Sequence, residues 1–164
     1  MSHSLPSPEP AGCQLAALFG WLAFCFLASG GAIVVSTGGW YAGLHKPWWN
    51  PPAWIFGPVW TLLYIMMAVA AWMVWRTGGW RAQRLALGFF LLQWLLNALW
   101  TPLFFGLHLP LLAFAEIMAL WMALLITNIL FWRVRTIAGL LLIPYLLWVS
   151  FAALLNFTIW QLNR

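Results

Sequence analysis

Residues 137–160 read IAGLLLIPYLLWVSFAALLNFTIW, a run without one charged side chain. Wound as a helix at about 1.5 Å per residue, such a run is long enough to cross a hydrocarbon core of roughly 30 Å. Working outward, apolar windows of similar length recur near 14–35, 54–75, 85–105 and 111–132. Prolines and glycines punctuate the gaps: Gly38-Gly39, Pro47, Pro51-Pro52, Gly78-Gly79, Gly106 and Pro110. Inside lipid every backbone polar group needs a partner within the protein, so continuous runs of this kind form helices. The expected fold is an all-α membrane protein, one bundle of five transmembrane helices, preceded by a tail over 1–13. No internal repeat divides it.

Composition agrees. The 164 residues are 65% hydrophobic and only 5% charged, far too few charges to keep a domain of this size in water. The formal charge of +5 sits in the loops, so it is a topology signal and not a nucleic-acid footprint. With five spans, Arg76, Arg81, Arg84, Arg133 and Arg135 fall on the N-terminal side, against Lys46 and Arg164 on the other. That bias predicts a cytoplasmic N-terminus. The N-terminal segment carries no Lys or Arg, so it reads neither as a secretory signal nor as a transit peptide, and the first helix is expected to stay.

Fifteen tryptophans are too many for an interfacial belt alone. Trp40, Trp48, Trp49, Trp54, Trp75, Trp80, Trp132 and Trp160 fall near helix ends, where a belt accounts for them. Trp60, Trp94, Trp100, Trp121 and Trp148 fall inside spans. Three helical stripes gather some of these with polar partners. They are Gly57, Trp60, Tyr64, Met67 and Ala71; Gln93, Asn97, Trp100 and Phe104; and Tyr145, Trp148, Ala152 and Asn156. Amides avoid lipid, so the stripes should converge inside the bundle. Two readings then stand: a packed core cross-linked by amides, or a pocket whose indoles stack on a flat guest. Glu116 is the only acid within a span, a candidate proton carrier or a hydrogen-bonded structural group. No cluster with metal-ligand spacing appears, and no nucleophile–base pair or phosphate loop.

Residues 40–52 read WYAGLHKPWWNPP, a proline-stiffened aromatic loop fit to lie over a bundle mouth as a lid. Together with Gly57-Pro58-Val59-Trp60, the NALWTP of 97–102 and Pro144-Tyr145 through Trp148, it resembles the translocator protein family, also called tryptophan-rich sensory proteins or the peripheral benzodiazepine receptor family. The resemblance runs from Trp21 to Asn163 with the motifs in register. It implies a five-helix bundle whose long first loop caps an internal pocket, and a homodimer. It also implies binding of protoporphyrin IX or haem as ligand with no required cofactor, and in some members of sterols or lipid. The roles attached to the family are sensing, transport or receptor function in porphyrin metabolism, with light-dependent porphyrin breakdown in some members. Carried over motif by motif, the ligand-binding residues would be Tyr41, Pro51 and Pro52 from the lid and Phe56, Trp60 and Tyr64 from the second span. Asn97 and Trp100 would come from the third span, and Trp148 and Ala152 from the fifth. Trp60 and Trp148 match the indoles tied to porphyrin photochemistry. Phe157 stands where animal members carry the Tyr of their sterol pattern. Ala28 and Ala32 offer a small-residue face for a dimer contact. A proton-coupled exporter using Glu116 is a further alternative.

Overall fold

The computed structural model describes residues 11–30 and 39–164. Helix α1 (Ala11–Leu27) is followed by a short α2 (Gly39–Gly43) within the first loop. Four long helices come next: α3 (Ala53–Trp75), α4 (Gly79–Thr101), α5 (Pro110–Val134) and α6 (Thr136–Leu162). A π-helical turn, Pro102–Gly106, extends α4. Among the described residues, four helical segments are long and apolar enough to cross a membrane, and α1 supplies a shorter apolar one. The protein is thus an integral, multi-pass, all-α membrane bundle.

The expected boundaries hold to within two residues for α3, α5 and α6. The first helix begins earlier than 14, at Ala11, so residues 11–13 belong to it and not to a tail. The chain turns at Ala28 and Ser29, and 31–35 of the expected first span, with Ala32, lie outside the described residues. The third span also begins earlier, at Gly79, because its first turn is set off from the rest by a kink at Gln83 (φ −112°, ψ 24°). At its other end Pro102 has no N–H to continue the α ladder, and the chain widens into the π turn. That turn carries Phe104 and Phe105 under the lid.

The bundle sorts its side chains by size and polarity. Leu62, Ile65, Leu92, Leu95, Met118, Met122, Ile129, Leu147 and Leu154 are exposed on its outer faces, as lipid-facing residues must be. Ala68, Ala70 and Ala71 of α3 are fully buried, and small residues there let neighbouring helices approach closely. Helix α1 packs on α3, α3 also meets α4 and α6, α4 packs on α5, and α5 packs on α6. The α5–α6 pair turns on a single extended residue, Arg135. Gly139 makes this hairpin feasible: a Cβ there would stand 2.9 Å from the Trp132 Cα. Its carbonyl accepts a 2.9 Å hydrogen bond from the buried Asn128 Nδ2, which joins the two helices.

Candidate functional site: a lidded aromatic cavity

At the end of the bundle where α3 begins and α6 ends, the helices part around a cavity of ≈ 1030 Å³. This is the upper end of the size found for small-molecule sites. Tyr41, Pro51 and Pro52 line it from the lid, Phe56, Trp60 and Tyr64 from α3, Asn97 and Trp100 from α4, and Trp148 and Ala152 from α6. All ten residues singled out in the sequence therefore meet around one space. The stripes continue below it into the buried core as Met67, Ala71, Gln93 and Tyr145. The same stripes thus line a cavity at one depth of the bundle and enter packed core at another.

Most polar groups at the wall are spent on one another. The Tyr64 hydroxyl donates to Asn97 Oδ1 at 3.1 Å, beside the Trp60 ring stacked on Tyr64 with centroids 5.3 Å apart. The Trp100 indole N–H donates to Asn156 Oδ1 at 3.1 Å, while Asn156 Nδ2 donates to the Pro110 carbonyl at 2.8 Å. Asn156 thus ties α4, α5 and α6 together and sets the angle of the Trp100 ring. Phe56 meets Trp148 edge-on at 5.8 Å, and Trp148 lies against Phe151 at 5.6 Å. What remains to face a guest is mainly aromatic ring surface.

The lid is built over an apolar underside. Trp40 stacks on His108 at 4.3 Å and meets Phe104 edge-on at 5.6 Å, and Tyr41 packs against Phe105 at 5.4 Å. The Tyr41 hydroxyl donates to Asn50 Oδ1 at 2.8 Å, bridging the two ends of the lid. Burial pushes the Tyr41 phenol above its ordinary value, with the Asn50 amide acting the other way. At the far side the lid is latched to the end of α6. The His45 N–H donates to Asn163 Oδ1 at 2.9 Å, and Asn163 Nδ2 donates to the His45 carbonyl at 2.9 Å. No local pattern announces this latch, because its partners lie 118 residues apart in the chain.

Several other wall residues escaped the sequence. Phe26 comes from α1 and Ala28 and Ser29 from the turn after it, Ile117 and Leu120 from α5, and Lys46 and Asn50 from the lid. They carry no stripe of mixed aromatic and amide character, which was the signal used. Conversely, Trp94 and Trp121, singled out with the indoles of the wall, miss the cavity: Trp94 stacks on Phe24 at 4.3 Å, and the Trp121 N–H donates to Ser150 Oγ at 2.8 Å. Glu116 does not line the cavity either, and its buried carboxyl oxygens have no hydrogen-bond partner among the described residues.

Comparison with known proteins agrees with this architecture. Residues 11–161 match the model of the TspO/MBR family. The chain is 49% identical over 125 residues to a tryptophan-rich protein TspO of Chlorobaculum tepidum, covering 75% of this chain and 78% of that one. It is 41% identical over 150 residues to a tryptophan-rich sensory protein of Cereibacter sphaeroides (87% and 92% covered). It is also 38% identical over 127 residues to the human translocator protein (76% and 75% covered). With the family model spanning nearly the whole chain and the lidded bundle in place, this protein belongs to the TspO/MBR family.

Proposed function

We propose that this protein binds a tetrapyrrole, protoporphyrin IX or haem, in the cavity under the lid and acts as a membrane sensor or carrier of porphyrin metabolism. The observation that carries this reading is the convergence of Trp60, Trp100 and Trp148 on one cavity of ≈ 1030 Å³. A flat conjugated guest gains most from such walls, because ring faces stack while water is excluded. Binding should quench tryptophan fluorescence of the purified protein in detergent. Saturable quenching by protoporphyrin IX that is lost in Trp100→Ala and in Ala152→Phe, the latter filling the space from α6, is the expected result. Absence of saturation at micromolar porphyrin overturns the proposal.

A second reading, light-driven degradation of the bound porphyrin, draws on the placement of Trp60 and Trp148 at the cavity wall. An indole in contact with a photoexcited ring can donate an electron to it. Under illumination, Trp60→Phe and Trp148→Phe should slow the loss of porphyrin absorbance; unchanged bleaching removes this reading. The carboxyl of Glu116 has no contact with the cavity, so proton-coupled export draws no support from the site's geometry.

Orientation follows from charge in this proposal. Arg76, Arg81, Arg84, Arg133 and Arg135 lie at the end of the bundle away from the lid, which puts the N-terminus in the cytoplasm and the lid on the opposite side. A homodimer and a sterol or lipid as an alternative guest belong to the same family-based reading.

A further inference from the structure

Among the described residues, one charged side chain lines the cavity. Lys46 projects from the lid, with its ammonium 4.8 Å above the Tyr41 ring. It donates to the Ala42 carbonyl at 3.2 Å and to the Leu44 carbonyl at 3.1 Å. An ammonium has three donors, so one direction is left for another acceptor. Protein does not fill it with an anion among the described residues: the only acid there, Glu116, has no hydrogen-bond partner. Several other polar groups at the cavity wall are committed. Asn50 accepts from Tyr41 and donates to the Pro51 carbonyl, and the Ser29 and Thr61 hydroxyls donate to carbonyls of their own helical turns. An unpaired cation at the rim of an aromatic cavity, half-buried, attracts an anion more strongly than the same group in solution.

We infer that Lys46 receives a carboxylate of the guest, so that the site selects a flat apolar acid, seated with its acidic edge under the lid, over the uncharged ester of the same ring. The inference rests on the tetrapyrrole reading above and adds to it the orientation of the guest and the group that sets it. The competing role for Lys46 is purely architectural, as a cation capping the carbonyls at the end of α2. The two roles differ in what they do to an acid and its ester.

The test compares protoporphyrin IX with its dimethyl ester by fluorescence quenching, in the unaltered protein and in Lys46→Gln and Lys46→Arg. A charge-assisted hydrogen bond at a part-buried site predicts that the acid binds the unaltered protein about tenfold more tightly than the ester. That ratio should fall to near one in Lys46→Gln and remain well above one in Lys46→Arg. Equal affinity of acid and ester in the unaltered protein overturns the inference. So does a Lys46→Gln variant that weakens both guests by the same factor, since Lys46 would then act only through the lid. Saturation by the ester but not the acid also overturns it while leaving the tetrapyrrole reading intact. Saturation by neither overturns both.

Discussion

Asn163 and Asn156 show how single amides set the geometry of an otherwise apolar site. Asn163 holds the His45 backbone from both sides, donor to acceptor and acceptor to donor. Asn163→Ala should therefore loosen the lid and speed dissociation of a bound porphyrin roughly tenfold, since each net hydrogen bond contributes about 1 kcal/mol. Stopped-flow recovery of tryptophan fluorescence measures this; an unchanged off-rate would mean that aromatic packing alone closes the lid. Asn156 lies deeper and is almost fully buried. Asn156→Ala strands the Trp100 N–H and the Pro110 carbonyl and should cost about 1–2 kcal/mol, read as a lower melting temperature in detergent. Porphyrin affinity should drop with it, because the Trp100 ring loses its fixed angle. Asn97 stood out in the sequence by its spacing with Trp100, and Asn156 by its spacing with Trp148 and Ala152. Asn163 did not, because its partner is reached only after the whole bundle has turned back on itself.

At the scale of the helix, the interruptions matter as much as the runs. The α5–α6 hairpin depends on Gly139 lying against Trp132. Gly139→Ala puts a methyl group into that backbone contact and should destabilise the bundle by about 1–3 kcal/mol. A thermal melt within error of the unaltered protein would show that the hairpin can open to admit it. The π turn after α4 has a comparable role for the site. Pro102 starts it, and Phe104 emerges stacked on Trp100 at 5.0 Å while also meeting Trp40 and Tyr41 of the lid. Hydropathy located α4 from its apolar middle, yet missed the turn from Gly79 to the kink at Gln83. Trp80, Arg81 and Gln83 are interfacial in character, and a window that averages hydropathy cannot separate a polar helical turn from a loop.

For the whole molecule, the charge distribution predicts which end of the bundle faces the cytoplasm. With the native cysteines replaced, Trp48→Cys at the exposed lid should react with an impermeant maleimide from outside right-side-out vesicles, and Thr77→Cys only after permeabilisation. The reverse pattern would overturn the proposed orientation. Amino-acid order alone determined that this chain is a helical membrane bundle, because its runs of apolar residues have no other solvent and no other way to satisfy their backbone. Its 3.6-residue periodicity also determined that Trp60, Trp100 and Trp148 face inward, since helical faces are local properties. Whether those faces close into solid core or part around a cavity is decided by distances between helices. Those distances follow from Ala68 and Ala71, Gly139, the π turn and the Asn163 latch acting together. The placement of Lys46 over the mouth was decided in the same way. The latch joins residues 118 apart in the chain, and no local window contains both partners.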